Sequence, residues 1–275
     1  MNPAGRVVLV TGAASGIGRE TALEFARRHA IVVAVARREE RLDELVVQMN
    51  RLSASSCSIA GDLADPDFAR GLVPEILERH GRIDIVVNNA ATPKHQSILD
   101  VEPAEIERVL RVNFLSAAWI TRAALSAMRA RGEGIIVNVS SVAARITPPR
   151  EGLYAASKAA LESFTEGLWT DLAGSGIHAG LVVPGAIDTE IWDKLDSPSA
   201  FQGRRHPVSA VVRAILEVVE HRRFEVHVPR WTAGPTVAAL LRRAAPGLLR
   251  WAMARFEPPP TSPEDPPPPG PERDA

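Results

Sequence analysis

Residues 6–18 read RVVLVTGAASGIG, an apolar run of strand length followed by a glycine-rich turn. Helical periodicity begins at residue 16, directly after the turn. Glycines between a strand and a helix allow a tight turn, close approach of the backbone to a phosphate, and close packing of helix on strand. The free N–H groups at the start of the helix offer a positive dipole end to a pyrophosphate. The stretch predicts a dinucleotide-binding turn, although such turns also simply connect strands to helices.

Apolar runs of strand length alternate with segments of helical period along most of the chain. The predicted strands are 6–11, 31–36, 56–60, 83–88, 134–140, 177–183 and 224–228. The predicted helices are 16–29, 39–51, 66–80, 103–130, 152–173 and 208–221. Runs such as IVVAVA (31–36) are apolar at every position, which is typical of parallel strands covered on both faces. We predict an α/β fold with a single Rossmann-type, doubly wound parallel sheet of about seven strands and helices on both faces.

Composition divides the chain into three parts. The 275 residues are 45% hydrophobic and 24% charged, which fits one large globular domain, predicted over 1–230. Within it, 188–206 follows the sixth strand with weak periodicity and is expected to be a mobile lid. Residues 231–256 combine large apolar side chains with four arginines and no acid, which predicts an amphipathic, basic C-terminal helical arm. Residues 257–275 hold nine of the 22 prolines and are expected to be a disordered tail.

Composition also argues against several classes of protein. The single cysteine, Cys57, can form neither an internal disulfide nor a metal cluster, and the seven histidines show no metal-ligand spacing, so we expect no metal. No run reaches the ~18 apolar residues of a membrane span, and no signal-peptide pattern precedes the first strand. The basic arm lacks lysine and interleaved aromatics, so we expect no nucleic-acid partner. The expected location is cytoplasmic. The arm 231–256 either contacts a membrane peripherally, shelters an apolar pocket, or packs on its own domain or a second subunit.

The end of the second predicted strand bears on the choice of nucleotide. An acid at this position would bind the ribose 2′-hydroxyl of NAD, whereas an arginine accommodates the 2′-phosphate of NADP. The strand ends at Ala36 and is followed by Arg37 and Arg38, so NADP(H) is favoured over NAD(H). The alternative is that both arginines belong to a solvated charge run, residues 37–41.

Tyr154, the only tyrosine, precedes Lys158, one of three lysines, by four residues. At this spacing on a helix the two side chains lie on one face, a turn apart. Free tyrosine has a pKa of about 10, too high for acid–base chemistry near neutrality, and a nearby ammonium favours the phenolate and lowers that pKa. The pair predicts an acid–base site, against the alternative of a half-buried tyrosine beside a surface lysine.

Taken together, the motifs resemble those of the short-chain dehydrogenase/reductase family. TGAASGIG (11–18) matches its TGxxxGxG turn, and Asn88-Asn89-Ala90 matches the start of its NNAG motif. Tyr154 and Lys158 match its YxxxK motif, and Ser141 precedes the tyrosine by the family's thirteen residues. The resemblance covers about residues 5–230. It implies an NAD(P)-dependent oxidoreductase that acts on CH–OH or C=O groups.

The resemblance implies four catalytic residues, namely Asn113, Ser141, Tyr154 and Lys158. Tyr154 would exchange a proton with the substrate oxygen, and Lys158 would lower its pKa and hold the nicotinamide ribose. Ser141 would hydrogen-bond the substrate oxygen, and Asn113 would hold a water of the proton relay. Ser141 is preferred to its neighbour Ser140 by spacing, because adjacent residues on a strand point to opposite faces.

The resemblance also implies a set of cofactor-binding residues, most of which follow predicted strands. They are Gly12, Ser15, Gly16, Ile17, Gly18, Arg37, Asp62, Leu63, Asn89, Ala90, Tyr154, Lys158, Pro184, Gly185, Ile187 and Thr189. For Asp62, local turn bonding ahead of Asp65-Pro66 is the alternative role. Asn88 is expected either to line the cofactor or only to stabilise the sheet. Ala91 replaces the family's glycine and adds a methyl group beside the cofactor.

The favoured function is therefore an NADP-dependent oxidoreductase that transfers hydride to or from the carbonyl or secondary alcohol of a small, lipophilic substrate. Ile191, Trp192 and Phe201 in the predicted lid favour a lipophilic substrate. The alternative is a nucleotide-binding scaffold or regulatory protein with vestigial redox activity, whose proline-rich tail recruits a partner. The resemblance further implies a homodimer or homotetramer that associates through the helices containing Trp119 and Trp169.

Overall fold

Seven parallel strands form one sheet in the computed structural model, which describes residues 1–197, 201, 203–230 and the isolated positions 237, 240, 244, 245, 247 and 248. The strands are β1 Val7–Thr11, β2 Ile31–Ala36, β3 Cys57–Ala60, β4 Ile85–Asn88, β5 Gly134–Val139, β6 Ile177–Pro184 and β7 Glu225–Val228. Their order across the sheet is β3-β2-β1-β4-β5-β6-β7. This confirms the predicted doubly wound parallel sheet. Apart from the isolated positions, the predicted arm 231–256 and tail 257–275 lie outside the described residues.

Helices cover both faces of this sheet. They are α1 Gly16–Arg27, α2 Glu39–Asn50, α3 Pro66–His80, α4 Pro103–Leu110, α5 Ser116–Arg131, α6 Ala143–Ile146, α7 Gly152–Asp171 and α8 Val208–His221. The sequence predicts a single helix over 103–130, but a π-helical turn, Arg111–Leu115, separates α4 from α5. A π turn inserts one extra residue but keeps the backbone helical, so the sequence pattern did not distinguish it from the α-helix on either side.

The central strands are largely apolar because they lie between two layers of helices. Val8 and Val10 of β1 pack into one core with side chains of α1, α2 and α8. Val7 and Leu9, which point to the opposite face, pack into a second core with side chains of α3, α5 and α7. All five residues of β1 are buried. Successive side chains of a strand point to opposite faces of the sheet. In β1 both faces are covered by helices, so the side chains alternate between two cores and not between core and solvent.

Local capping explains where individual helices begin and end. Asp65 is the N-cap of α3 and accepts a hydrogen bond from the backbone N–H of Asp67 at 2.9 Å. Pro66 occupies the first turn, where its missing N–H costs no hydrogen bond, and Gly81 ends the helix with a φ of 68°. The helix is thus confined to the stretch between β3 and β4.

The topology places the ligand crevice. β1 lies between β2 and β4, so the chain order reverses at β1, and the crossovers leave from opposite sides of the sheet. In such sheets ligands bind at this reversal, beyond the carboxyl ends of the strands. Among the described residues, no helix combines the length and the apolarity needed to cross a membrane.

Candidate active site

A cavity of about 920 Å³ opens beyond the carboxyl ends of the strands. It is bordered by the glycine-rich turn, by the loops that follow β2 to β6, and by the described part of 188–206 (188–197, 201 and 203–206), called here the lid segment. Sixteen of the eighteen predicted site residues line it: Gly12, Ser15, Gly16, Ile17, Arg37, Asp62, Leu63, Asn89, Ala90, Ser141, Tyr154, Lys158, Pro184, Gly185, Ile187 and Thr189. Gly18 and Asn113 lie behind its wall. The fold therefore brings residues up to about 170 positions apart into one crevice.

The glycine-rich turn packs closely against its neighbours because it lacks side chains. Gly12 and Gly16 have φ angles of +70° and +53°, in the left-handed region that favours glycine. A Cβ on Gly12 would lie 2.9 Å from the Cα of Ala90, and a Cβ on Gly18 would lie 2.2 Å from the carbonyl oxygen of Gly12. Ser15, the N-cap of α1, makes no side-chain capping bond. The turn and the helix start thus form a cradle that fits the pyrophosphate of a dinucleotide.

Hydrogen bonds tie this turn to the loop after β4. The Thr11 hydroxyl accepts hydrogen bonds from the backbone N–H groups of Asn89 and Ala90 at 3.0 and 3.1 Å. The Asn89 side-chain amide donates to the carbonyl oxygen of Thr11 at 3.0 Å. Asn88 points elsewhere: its amide donates to Asn138 Oδ1 at 2.8 Å and to Thr121 Oγ1 at 3.1 Å. Of the two roles considered for Asn88, its contacts are those of sheet stabilisation.

Asp62, beyond β3, lines the cavity. Its carboxylate accepts a hydrogen bond from the backbone N–H of Ala64 at 3.0 Å and pairs with Arg108 at 2.9 Å. Burial opposes ionisation, but the Ala64 N–H and the Arg108 guanidinium hold the pKa of Asp62 below its ordinary value. Asp62 therefore makes the local turn bond that the sequence allows and still contributes a charged acceptor to the cavity wall.

The two arginines after β2 differ in their partners. Arg38 donates to the Glu190 carboxylate of the lid segment at 3.3 Å, so it pairs across the cavity mouth and not within the charge run 37–41. Arg37 lines the cavity and hydrogen-bonds none of the described residues. Its charge helps to lower the pKa of Asp62. The guanidinium of Arg37 is thus available to an anionic ligand.

Tyr154 and Ser141 meet at the opposite end of the cavity. Ser141 lies two residues beyond the end of β5, and its side chain is near enough to Tyr154, at the start of α7, to lower the pKa of the phenol. Ser140 points the other way and donates to the Glu162 carboxylate at 2.8 Å. Lys158, one turn after Tyr154, is only 2% exposed and donates to the carbonyl oxygen of Val139 at 2.8 Å. The two adjacent serines face opposite sides, as their positions at a strand end require.

Burial controls the ionisation of this pair. Burial raises the pKa of Tyr154 above its ordinary value, the Glu151 charge adds to the effect, and the Ser141 hydrogen bond opposes it. Burial lowers the pKa of Lys158 to about 8, while the Glu162 charge raises it. The lowering of the Tyr154 pKa that the sequence predicts for Lys158 is not among these effects and stays a prediction, and burial leaves the pKa raised. Tyr154 is therefore protonated at neutral pH, the state that a proton donor needs.

Asn113 lies behind the cavity wall and hydrogen-bonds two elements that carry site residues. It lies in the π-helical turn, 1% exposed, and its amide donates to the carbonyl oxygen of Thr92 and to Ser157 Oγ, both at 3.0 Å. Its Oδ1 accepts from the Thr92 N–H at 2.8 Å, and Ser157 in turn donates to the carbonyl oxygen of Tyr154 at 2.7 Å. Asn113 thus joins the loop after β4 to the helix of Tyr154.

Polar residues that sequence reasoning missed hold the lid segment to the loop after β4. Lys94, 4% exposed, contacts Glu105 of α4 at 2.6 Å and Asp196 of the lid segment at 3.2 Å. His95 Nδ1 lies 2.9 Å from Ser197 Oγ, which donates to the His95 carbonyl oxygen at 2.7 Å. The rarity of lysine was the one available signal, because no sequence pattern relates residues about 100 positions apart.

Aromatic side chains form the lid segment's inner surface. The rings of Trp192 and Phe201 stack with centroids 5.8 Å apart, and the Arg205 guanidinium lies 4.4 Å from the Trp192 ring centroid. A single β-bridge between Ile187 and His206 brings the two ends of the lid segment together. Within the described part of the chain, no cluster of three or more His, Cys, Asp or Glu side chains could hold a metal ion.

Known proteins share this sequence and this architecture. A family model described as short chain dehydrogenase matches residues 6–200. The chain is 33% identical over 265 residues to dehydrogenase/reductase SDR family member 7B of Bos taurus, covering 90% of this chain and 80% of the bovine protein. It is 40% identical over 189 residues to 11-beta-hydroxysteroid dehydrogenase 1A of Arabidopsis thaliana, covering 68% of this chain and 54% of that protein.

A solved structure agrees with this assignment. The short-chain dehydrogenase from Sphingobium yanoikuyae in complex with NADPH superposes with a TM-score of 0.77 at 30% identity, covering 89% of this chain and 95% of that one. Family model, relatives and fold thus point to an NAD(P)-dependent oxidoreductase that acts on CH–OH or C=O groups. The chain belongs to the short-chain dehydrogenase/reductase family.

Proposed function

We propose that this protein is an NADP-preferring carbonyl reductase or secondary-alcohol dehydrogenase acting on a small, lipophilic substrate. One observation carries the proposal: Ser141, Tyr154 and Lys158 lie in the same cavity as the glycine cradle of the first turn. A proton donor and a dinucleotide site in one crevice are what hydride transfer to a carbonyl requires.

The cavity fits a nicotinamide dinucleotide along its length. We assign the pyrophosphate to Gly12, Ser15, Gly16 and Ile17, with Gly18 allowing the close helix packing behind them. The remaining assigned contacts are Arg37, Asp62, Leu63, Asn89, Ala90, Tyr154, Lys158, Pro184, Gly185, Ile187 and Thr189. A nicotinamide bound there supplies or accepts the hydride.

The NADP preference rests on Arg37. Its guanidinium lines the cavity with no hydrogen bond to the described residues, whereas Arg38 is engaged by Glu190. An arginine at the end of the second strand pairs well with a ribose 2′-phosphate, because the interaction is charge-assisted and bidentate. The Sphingobium relative, which is 30% identical, is a complex with NADPH.

The protein's own groups account for the proton chemistry. In the reductive direction Tyr154 donates its phenolic proton to the carbonyl oxygen, and Ser141 donates a hydrogen bond to the same oxygen. Lys158, whose pKa of about 8 leaves it largely protonated at neutral pH, stabilises the phenolate that forms and binds the nicotinamide ribose. Asn113 holds the loop after β4 against α7, and we assign it the water of the proton relay. The oxidative direction reverses each proton transfer.

The substrate end of the cavity favours an apolar molecule. Its wall contains aliphatic and aromatic side chains, namely Ile146, Pro148, Pro149, Ile191, Trp192 and Phe201. The lining also contains charged side chains, and among its polar groups we assign Ser141 and Tyr154 to the substrate oxygen. The Arabidopsis relative is named a hydroxysteroid dehydrogenase, and its 40% identity over 189 residues supports a lipophilic substrate here.

The decisive experiment measures turnover of NADPH and NADH by purified protein with a panel of lipophilic ketones, aldehydes and secondary alcohols. Tyr154→Phe tests the proton donor, and Val47→Ala, which changes an exposed side chain of α2 outside the cavity, is the control. We expect activity in the wild type and in the control but not in Tyr154→Phe. Nucleotide binding without turnover in all three proteins would instead favour a nucleotide-binding scaffold with vestigial redox activity, recruited through the tail 257–275.

Together with the catalytic function we propose the domain bounds, the oligomeric state and a role for the C-terminal arm. Residues 1–230 form the catalytic domain, with the lid segment over the substrate end of the cavity. We assign association as a homodimer or homotetramer to α5 and α7, on which the Trp169 ring is 54% exposed. The arm 231–256 is assigned a peripheral membrane contact of a cytoplasmic protein. Light scattering tests the first assignment, and liposome partition before and after truncation at Pro229 tests the second.

A further inference from the structure

Beneath the catalytic residues, the Glu162 carboxylate joins several elements of the fold. Glu162 lies on α7, one turn after Lys158, and its side chain is 14% exposed. One of its oxygens accepts a hydrogen bond from Ser140 Oγ at 2.8 Å, and the other accepts from Arg145 Nε at 3.1 Å. It therefore links the end of β5 and the short helix α6 to the helix that carries Tyr154.

The link continues to the edge of the sheet. Arg145 of α6 also donates to the Glu225 carboxylate of β7, at 2.6 Å for its Nη2 atom. Glu225 in turn contacts the imidazole of His227. The charged and titratable groups around Glu162 come from two other elements and from α7 itself. Arg145 of α6 contacts Glu162 directly, and Glu225 and His227 of β7 lie on the far side of Arg145. Lys158 lies on α7, the helix that also carries Glu162. Ser140 is the uncharged partner at the end of β5.

Two of these contacts bear directly on catalytic positions. Ser140 immediately precedes Ser141, so a hydrogen bond that fixes Ser140 also limits where the Ser141 hydroxyl can lie. Side chains four residues apart on a helix are neighbours, which places Glu162 beside Lys158. Each contact connects a group of the proposed proton chemistry to the same buried carboxylate.

We propose that Glu162 is a positioning residue for the proposed reaction: it holds Ser141 in register with Tyr154 through Ser140 and sets negative charge beside the Lys158 ammonium. The inference rests on the catalytic roles proposed above for Ser141, Tyr154 and Lys158. It adds that the site is held together by a charge network reaching from α7 through α6 to β7.

The ionisation of Lys158 is consistent with this geometry. Burial lowers the pKa of Lys158 to about 8, and the opposing contribution comes from Glu162. Burial also raises the pKa of Glu162, while Arg145 and the hydrogen bond from Ser140 lower it. Removing the Glu162 charge leaves burial unopposed, so the pKa of Lys158 should fall and its ammonium should lose a proton at lower pH.

The chain offers a direct readout, because it contains only three lysines, Lys94, Lys158 and Lys194. Protein labelled with ¹³C-lysine gives three side-chain Cε signals, which Lys94→Arg and Lys194→Arg assign by elimination. We expect the Lys158 signal of the wild type to titrate with a midpoint of about 8. In Glu162→Gln the midpoint should fall by on the order of one pH unit, and Glu162→Asp should restore most of it.

A second variant separates the two roles of Glu162. Ser140→Ala removes the hydrogen bond at the end of β5 and keeps the carboxylate, so kcat should fall several-fold while the Lys158 midpoint stays where it is in the wild type. Because this change is small, it also keeps the proposal testable if Glu162→Gln does not fold. Glu24→Gln is the control for both, since Glu24 is a partly buried carboxylate on α1 with two arginine partners, far from the cavity.

The outcomes distinguish this inference from the proposed function. An unchanged Lys158 midpoint in folded Glu162→Gln, or an unchanged kcat in Ser140→Ala, overturns the inference even if the wild type is fully active. A Lys158 midpoint that falls in Glu162→Gln supports it even if no tested carbonyl is turned over, in which case only the proposed substrate class fails. A lower melting temperature with unchanged midpoint and unchanged pH profile would assign Glu162 a structural role alone.

Discussion

The Lys94 ammonium lies 3.2 Å from the Asp196 carboxylate, joining the loop after β4 to the lid segment. Lys94 is 4% exposed, and its second partner, Glu105, holds it to α4 at 2.6 Å. Burial favours the neutral amine, but the two carboxylates raise the pKa of Lys94 above its ordinary value. The ion pair between Lys94 and Asp196 therefore holds the lid segment against the loop after β4, at the edge of the cavity.

Loosening this pair should weaken substrate binding. We expect Asp196→Asn to raise the KM for the carbonyl substrate a few-fold, by on the order of 1 kcal/mol, while the KM for NADPH changes little. Steady-state kinetics on both substrates provide the measurement. Arg111→Gln, which breaks an exposed ion pair with Glu107, is the control. Equal changes in Asp196→Asn and in the control would contradict the fastening role.

The single tyrosine offers the sharpest test of the chemistry. Tyr154→Phe should lower kcat by about 10²- to 10⁴-fold, because the proton donor is removed and the ring is kept. NADPH affinity, measured by quenching of protein fluorescence, should change little. A variant that retains more than a tenth of wild-type kcat would show that another group donates the proton.

Close packing at the first turn predicts contrasting effects of two glycine substitutions. A Cβ at Gly18 would lie 2.2 Å from the Gly12 carbonyl oxygen, so Gly18→Ala should destabilise the protein by about 1–3 kcal/mol and abolish measurable NADPH binding. Gly167→Ala, in the interior of α7, meets no atom within 4 Å and should stabilise the protein by about 0.5–1 kcal/mol. Urea denaturation and nucleotide titration test both variants. Similar effects at the two positions would show that the turn is not tightly packed.

Arg37 should discriminate between the two nucleotides. Arg37→Ala is expected to raise the Kd for NADPH by roughly 10- to 100-fold and to leave the Kd for NADH almost unchanged, because only NADPH carries the 2′-phosphate. Isothermal titration with both nucleotides measures the difference. Arg41→Ala, an exposed arginine on α2 paired with Glu44, is the control. An equal loss of affinity for both nucleotides would remove the proposed 2′-phosphate contact.

The network at β7 predicts a stability change in acid. The hydrogen bond from His227 and, against the effect of burial, the Arg145 guanidinium lower the pKa of Glu225 from 4.5 to about 2. A carboxyl group whose folded-state pKa is depressed stabilises the fold above its unfolded-state pKa, and this contribution is lost as pH falls from about 4.5 through about 2. Thermal melts of wild type and Glu225→Gln should therefore differ at pH 6 and converge toward pH 2. A constant difference across this range would contradict the prediction.

Local pattern was sufficient for the sheet and for sixteen of the residues that line the cavity. The central strands were recognisable because a run covered by helices on both faces, such as Val7–Thr11, is apolar at nearly every position. The glycine-rich turn was recognisable because a backbone with positive φ at Gly12 and no room for a Cβ at Gly18 admits no other residue easily. These constraints act over a few neighbouring residues and are therefore written in short stretches of sequence.

Contacts between distant residues depended on the tertiary structure. Lys94 and Asp196 are about 100 positions apart, and Arg145 and Glu225 are 80 apart, so no local pattern relates them. The pKa of Tyr154 likewise depends on how far packing removes it from water, which the spacing to Lys158 does not reveal. The sequence alone determined the succession of strands and helices along the chain and sixteen of the residues that line the crevice. Only the folded chain decided which charges are paired and which are buried, because pairing and desolvation arise from packing among elements.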